Sequence, residues 1–208
     1  MTASHLEMLA EDASTAAALR AIVPAVADGV GCEIHPYRGK ADLLAKLPTR
    51  LRGYAARFEK DDWFAAHARV VVVLDRDGDD CRELRSRLDG MARAVGLSTR
   101  GERGVHVLPR IACEELEAWY FGDWEAVRRA YPRVPTNIPH QAAYRDPDGI
   151  AGGTWEAFER VMKNAGYFAT GLRKLEAARA IGPHLDPDRN ASPSFRALRD
   201  GIRRLVAP

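Results

Sequence analysis

The sequence is poor in cysteine. Its 208 residues contain three cysteines, Cys32, Cys81 and Cys113, which are widely spaced and form no Cys-x-x-Cys pair. Disulfide frameworks and zinc sites need more cysteines or closer spacing, so neither is expected to organise this fold. The pattern predicts free thiols in a reducing compartment, and we therefore expect a cytosolic protein.

The sequence also lacks long apolar runs. No stretch approaches the roughly 20 apolar residues that a membrane-spanning helix needs. The first residues, Met1 to His5, have neither the basic nor the apolar region of a signal peptide. These absences predict a chain without a membrane partner.

Lysine is scarce, since only five lysines stand among 31 basic residues. Arginine suits bidentate contacts with phosphate, but a high-GC genome produces the same bias, and both explanations stay open. The net charge of +2 is too small to indicate a polyanionic partner by itself.

Strand and helix patterns alternate through the first half. The predicted strands are 5–10, 32–37, 70–74 and 105–112, and the predicted helices are 15–27, 42–58 (interrupted near Pro48), 81–95 and 114–121. This alternation is typical of an α/β fold in which helices flank a parallel sheet on both sides. Trp119 and Tyr120 are expected to be core residues.

The second half has a different character. Residues 134–153 are rich in Pro, Gly, Asn and Asp and are predicted to be loop. Helical patterns follow at 154–164, 172–181 and 192–206, and the last begins with a Ser-Pro start signal. We therefore expect a sheet-bearing domain at 1–123 and a helical C-terminal extension at 124–208 packed on it.

A group of acids follows the most apolar predicted strand, in the segment Val-Val-Val-Leu-Asp-Arg-Asp-Gly-Asp-Asp that ends at Asp80. Parallel sheets carry their chemistry at the carboxyl ends of their strands. In extended backbone, residues two apart point to the same side, so Asp75 and Asp77 are predicted to converge. Hard carboxylate ligands favour Mg²⁺ or Mn²⁺. Asp79 and Asp80 are expected to serve as a helix cap or as supporting groups.

Several protein classes carry an Asp-x-Asp pair. A calcium loop of the EF-hand type would need Gly in place of Asp80 and Glu in place of Ser86, so it is excluded. A sugar-nucleotide transferase has no other support in this sequence. A haloacid-dehalogenase-like phosphatase, with Asp75 as nucleophile, stays open, although Asp79 stands where that motif has Thr.

The order of acids also resembles TOPRIM domains, which carry a Glu after their first strand and an Asp-x-Asp after a later one. Glu11 follows strand 5–10, and the likeness covers roughly the first 120 residues. A more specific resemblance rests on four segments of the sequence: AEDAST, VVVLDRDGDDC, RIACEELEAWYFGDWEAV and DRNASPSFRALRDGI. It is to a bacterial TOPRIM-like family, domain of unknown function 4276, which is related to nucleases of anti-phage defence. That second resemblance spans nearly the whole chain. Asp12 departs from the general TOPRIM pattern, which often has Gly there.

The resemblance implies a metal-dependent nuclease that acts on DNA or RNA, in anti-phage defence, beside a partner ATPase. It implies Mg²⁺ or Mn²⁺ as cofactor and Glu11, Asp75 and Asp77 as catalytic residues. The same three residues and Glu115 and Glu117 are the expected metal ligands. For the two additional glutamates, the alternative is a favourable charge at a helix start. A TOPRIM module that binds without cutting is an alternative for the protein as a whole.

A basic stripe is predicted on the last helix, where Arg196, Arg199 and Arg203 share one face. Arg173 and Lys174 add positive charge to the same half. Such a stripe suits a phosphate-tracking surface for nucleic acid, with an ordinary solvated helix face as the alternative.

Overall fold

The computed structural model describes residues 2–99, 104–113 and 115–207. Within these residues the strands are β1 (His5–Ala10), β2 (Gly31–Pro36), β3 (Ala68–Asp75) and β4 (Val107–Ala112). The helices are α1 (Ala13–Val26), α2 (Lys40–Lys60), α3 (Asp62–His67), α4 (Cys81–Arg93), α5 (Glu117–Gly122), α6 (Trp124–Ala130), α7 (Thr154–Asn164), α8 (Lys174–Ile181) and α9 (Pro193–Val206). Short 3₁₀ turns at Ile138–His140, Ala142–Tyr144 and Gly182–His184 complete this set.

The described strands form one parallel sheet in the order β2-β1-β3-β4. Parallel neighbours need crossover connections, and α1, α2 with α3, and α4 supply them. The predicted α/β class, a parallel sheet flanked by helices and followed by a helical C-terminal part, is confirmed. The central strands β1 and β3 align their carboxyl ends, with Ala10 opposite Val73 in the register.

The two faces of the sheet lie in separate apolar cores. One core contains Val71 and Val73 together with α1 and the helices from α5 onward. The other contains Val70, Val72 and Leu74 together with α2, α3 and α4. Both faces of β3 are therefore buried, as expected from its continuous apolar run.

The helices after residue 123 join the first core, because α8 packs on α1 and α9 packs on β4. The described residues 124–207 contain no strand. Trp119 and Tyr120 are 1% and 0% exposed, so their prediction as core residues is confirmed. A domain boundary near residue 123 stays a prediction.

The predicted interruption of helix α2 near Pro48 is wrong, because the helix runs without a break from Lys40 to Lys60. Proline removes a hydrogen-bond donor and costs about 3 kcal/mol inside a helix. Burial of Leu47, Leu51 and Tyr54 along one face outweighs that cost. The short helices α3 and α6 were not predicted. Among the described residues, none of the helices combines the length and the apolar character that a membrane span requires.

Candidate metal centre

Glu11 and Asp75 lie side by side at the carboxyl ends of β1 and β3. The backbone N–H of Asp75 donates a 2.9 Å hydrogen bond to Oε2 of Glu11. The backbone N–H of Glu11 in turn donates to the carbonyl oxygen of Val73. The structure therefore brings these two predicted site residues together across 64 positions of sequence.

Glu117 at the start of α5 is 1% exposed and lies close enough to Asp75 for its charge to raise the pKa of that residue. Among the described residues, neither its Oε1 nor its Oε2 has a hydrogen-bond partner, and the same holds for Oδ1 of Asp75. The Tyr120 hydroxyl, on which the charges of Glu117 and Asp75 act, is also buried and has no hydrogen-bond partner in the part of the chain that the structure describes. Buried polar groups are normally hydrogen-bonded, so this concentration of exceptions makes the location a candidate functional site.

The pKa values of these acids follow from that burial. Burial, followed by the charges of Glu11 and Glu117, raises the pKa of Asp75 well above its ordinary value. Burial also raises the pKa of Glu117 to about 7, against the opposing effect of Lys174. The pKa of Glu11 is raised too, chiefly by burial, which outweighs the hydrogen bond from Asp75.

This set fits a divalent cation. Its free donors are carboxylate oxygens, the ligands that Mg²⁺ and Mn²⁺ prefer. Carboxylates that repel one another in a buried place lose much of that electrostatic penalty when they share a cation. Asp75 and Glu117 are the residues that would hold it, with Glu11 beside them.

Asp77 borders this buried set, and its side chain is half-exposed. Strand β3 ends at Asp75, and Asp77 has a left-handed backbone with φ of 48°. The argument that extended backbone makes the two carboxylates converge was therefore wrong for this pair. Oδ2 of Asp77 lies 2.7 Å from Nζ of Lys40, at the first turn of α2.

The remaining two acids of this loop have separate partners. Asp79 also contacts Lys40, at 3.0 Å. Asp80 caps α4, where it accepts hydrogen bonds from the backbone N–H groups of Arg82 and Glu83. The prediction of a helix cap is confirmed for Asp80, and a supporting role for Asp79 stays a prediction.

Glu115 caps a helix of the C-terminal half. It accepts hydrogen bonds from the backbone N–H of Trp155 at 3.0 Å and from the hydroxyl of Thr154. Its Oε1 lies 3.3 Å from Nζ of Lys174. Glu115 thus borders the buried set, while Glu114, the predicted first residue of this helix, lies outside the described residues.

Lys174 is the basic residue that the C-terminal half brings to the carboxylates. Its Nζ lies 3.9 Å from Oε2 of Glu117 in addition to its contact with Glu115. Arg173 points elsewhere, to Glu176 and the ring of Phe168. Sequence reasoning placed Lys174 on a general basic surface. It could not predict the contacts of Lys174 with Glu115 and Glu117, because these residues lie almost 60 positions apart in the sequence.

The predicted stripe on α9 is paired within the chain. Arg203 makes two hydrogen bonds to the carboxylate of Asp188, at 2.7 and 3.2 Å. Arg199 contacts Asp188 and Asp200, and Arg196 donates to the carbonyl oxygen of Asn190. The stripe therefore braces the preceding turn, and most of its charge is locally neutralised.

A second polar cluster lies on the other face of the sheet and was missed by sequence reasoning. Glu7, 3% exposed in mid-strand, accepts a hydrogen bond from the Tyr54 hydroxyl and contacts His35 at 2.7 Å. His5 at 3.3 Å and Arg57 at 3.6 Å complete its surroundings. Ligand atoms of Glu7, Glu33 and His35 lie within 4.8 Å of one another. Because its partners already compensate Glu7, this cluster is explained as a buried ion-pair network.

The fold and the buried carboxylates define an α/β protein with an acidic centre at the carboxyl edge of a parallel sheet. The chain belongs to the family described as Domain of unknown function (DUF4276), which matches residues 6–203. It is similar to a solved structure titled "C-terminal region of the Burkholderia pseudomallei OLD protein", at 16% identity and a TM-score of 0.47, over 100% of both chains. That likeness is too distant to support a statement about function. Comparison with the curated proteins gives no match.

Proposed function

We propose that this protein is a Mg²⁺- or Mn²⁺-dependent phosphodiesterase of the TOPRIM type that cleaves DNA or RNA. The observation that carries the proposal is the buried set of Glu11, Asp75 and Glu117, in which three carboxylate oxygens have no hydrogen-bond partner among the described residues. A protein loses stability when it buries such groups unpaired. A site that binds a cation explains why these acids are grouped there.

In this proposal Asp75 and Glu117 hold the cation. A divalent ion in such a site supplies charge neutralisation of a phosphate and activation of water. Glu11 is the proposed proton acceptor, because its raised pKa brings it closer to neutral pH, where a general base is efficient. The hydrogen bond from the backbone N–H of Asp75 holds Glu11 in place for that role.

The surrounding charges suit an anionic substrate. Lys174 is within 4 Å of two of the glutamates, and its ammonium group can meet a phosphate at the edge of the buried set. Asp77 and Glu115 border the set and stay predicted ligands. The roles in anti-phage defence and beside a partner ATPase are further proposals, supported by the family resemblance.

The test uses the purified chain with supercoiled plasmid, single-stranded DNA and RNA, each with Mg²⁺, Mn²⁺ or EDTA. We expect cleavage that EDTA abolishes and that Asp75→Asn and Glu117→Gln both eliminate. Asp62→Asn is the matched control, because Asp62 is an exposed carboxylate in α3, on a helix that precedes β3. Absence of cleavage by the native chain with every substrate and metal would count against the proposal and would favour a binding module.

The phosphatase alternative is separated by one further assay. It requires Asp75 to attack phosphorus as a charged nucleophile and to form a covalent aspartyl-phosphate. Hydrolysis of p-nitrophenyl phosphate with a trappable aspartyl-phosphate at Asp75, and without cleavage of nucleic acid, would establish that alternative.

A further inference from the structure

The acids of this site fall into two sets that differ in what compensates their charge. In the inner set, Glu117 is 1% exposed and Glu11 and Asp75 are half-buried, and the nearest ammonium group, that of Lys174, is 3.9 Å from Glu117. The outer set is Asp77 and Asp79, whose side chains are 51% and 54% exposed. The two sets are adjacent, since the charge of Asp77 is among the causes that raise the pKa of Glu11.

Lys40 occupies the centre of the outer set. Its Nζ lies 2.7 Å from Oδ2 of Asp77, 3.0 Å from Oδ2 of Asp79 and 2.8 Å from the carbonyl oxygen of Arg76. An ammonium group has three N–H donors, and three oxygens stand within hydrogen-bond distance of this one. The surrounding oxygens are of the kinds that ligate a hard divalent ion.

The backbone positions Lys40 for this contact. Gly39, immediately before it, has φ of 100° and donates its N–H to the carbonyl oxygen of Glu11 at 2.9 Å. The start of α2 is thereby attached to the end of β1, and the Lys40 side chain, 15% exposed, crosses to the loop after β3. Asp77 has a positive φ, which non-glycine residues adopt rarely, and its carboxylate meets this amine.

We propose that the Lys40 ammonium is the second cation of the site, so that each chain binds one divalent ion, at the inner set. Two-metal nucleases place ions about 3.5–4 Å apart to clamp both oxygens of the reacting phosphate. Here the outer position is held by a resident amine that needs no ligand exchange. This inference rests on the proposed function, and it makes Lys40 a positioning residue for Asp77 and Asp79.

Manganese binding tests this without a substrate. The native chain is titrated with MnCl₂ to millimolar concentration, and free Mn²⁺ is measured by electron paramagnetic resonance. We expect about one ion per chain for the native protein and about two for Lys40→Gln, because the outer oxygens lose their cation and become available. Lys46→Gln is the matched control: Lys46 lies on the same helix, 60% exposed, and pairs only locally with Asp42.

A second pair of variants locates each ion. Asp77→Asn is expected to leave the native stoichiometry at about one ion and to remove the added ion from the Lys40→Gln background. Asp75→Asn is expected to remove the inner ion from both. Thermal melts of each variant confirm that it is folded.

Each remaining outcome is decisive. Two ions on the native chain, or no additional ion on Lys40→Gln, would overturn the assignment of Lys40 while leaving the proposed metal-dependent function intact. No bound Mn²⁺ on the native chain would overturn the proposed function and this inference together.

Discussion

The backbone N–H of Asp75 is hydrogen-bonded to the Oε2 of Glu11 at 2.9 Å. The contact joins the ends of two adjacent central strands and serves two purposes in the proposed site. It satisfies a partly buried donor, and it orients the carboxylate that we propose as proton acceptor. Substitutions at Glu11 can therefore separate its contribution to stability, through this hydrogen bond, from its proposed role as proton acceptor.

Glu11→Gln and Glu11→Ala are expected to differ in stability but not in activity. Glutamine retains an oxygen that can accept from Asp75, whereas alanine leaves that N–H unpaired, at a cost of about 1–3 kcal/mol. Both remove the carboxylate, so both are expected to lose cleavage and to weaken Mn²⁺ binding. Urea unfolding and the plasmid assay measure the two effects. Equal stability of the two variants would show that the hydrogen bond contributes nothing.

The strand ends at this site were predictable because the apolar run and the acid that follows it are neighbours in the sequence. Strand β1 matches its prediction in full, and β3 extends the predicted 70–74 only to Ala68–Asp75. Helix α7 also matches its prediction in full. An apolar run followed by an acid is visible without any knowledge of distant contacts.

The partners of these acids were not predictable in the same way. Lys40 and Lys174 lie on helices that only the folded chain brings to the sheet edge, and neither stands in a motif with the acids that it contacts. The backbone turn at Asp77 was likewise invisible, because the period-two rule holds only while the strand continues. Glu7 was missed since an acid in mid-strand has no local signal for its buried partners.

Replacement of Glu117 by glutamine is expected to stabilise the metal-free protein. Burial raises the pKa of Glu117 to about 7, so its contribution to stability is fully present below an ordinary pKa of 4.5 and is lost as pH rises toward 7. The loss corresponds to on the order of 3 kcal/mol above neutral pH. Glu117→Gln is expected to recover much of it at about pH 8 and to change little in acid.

Thermal melts with and without Mg²⁺ check this. Mg²⁺ should stabilise the native chain more at alkaline pH, where its ligands are deprotonated, and should not stabilise Glu117→Gln. Glu125→Gln on α6 is the control, since Glu125 is 44% exposed. A native stability that is constant across this pH range would contradict the expected cost of the buried charge.

Glu7→Gln is expected to destabilise the chain at neutral pH. Burial alone would raise the pKa of Glu7, but hydrogen bonds with His35, Tyr54 and His5 outweigh it, and the pKa is lowered. The stabilisation is therefore present above the ordinary value of 4.5 and is lost as pH falls through the lower pKa of the folded state. Loss of one partner from this buried network costs about 1–3 kcal/mol.

Urea unfolding at neutral and acid pH measures the effect. Glu33→Gln is a matched control on the neighbouring strand, opposite Glu7 in the register but 64% exposed. The difference between native chain and Glu7→Gln should shrink in acid. A difference that persists below about pH 3 would mean that packing, not charge, explains it.

Lys174 and Arg203 are expected to differ in their effect on cleavage. Lys174 contacts the carboxylate of Glu115 at the border of the buried set. Two guanidinium nitrogens of Arg203 instead donate hydrogen bonds to the carboxylate of Asp188, at 2.7 and 3.2 Å. A charged donor at a reacting phosphate can contribute on the order of 100-fold in rate. Lys174→Met should lose activity on that scale, and Arg203→Met should stay within about 2-fold. Equal losses would point to a general phosphate-tracking surface instead.

Gly122 at the end of α5 is expected to tolerate no side chain. A Cβ there would meet the side chain of Asn190 and lie 2.7 Å from the backbone nitrogen of Ser192. The side-chain amide of Asn190 donates a hydrogen bond to the carbonyl oxygen of Trp119. The backbone N–H of Ala191 donates to the carbonyl oxygen of Gly122 at 2.7 Å. The segment before α9 thus packs closely on α5, which carries Glu117.

Gly122→Ala should therefore lower the free energy of unfolding by about 1–3 kcal/mol, since the crowded atoms are partly backbone and cannot swing away. Gly53→Ala is the control, because Gly53 lies within α2 and an added methyl group would meet no heavy atom of another element within 4 Å. Alanine there should stabilise the helix by about 0.5–1 kcal/mol. If the close approach also positions Glu117, Gly122→Ala will weaken Mn²⁺ binding while Gly53→Ala leaves it unchanged; the reverse order of the two variants in either measurement would refute the role of this contact.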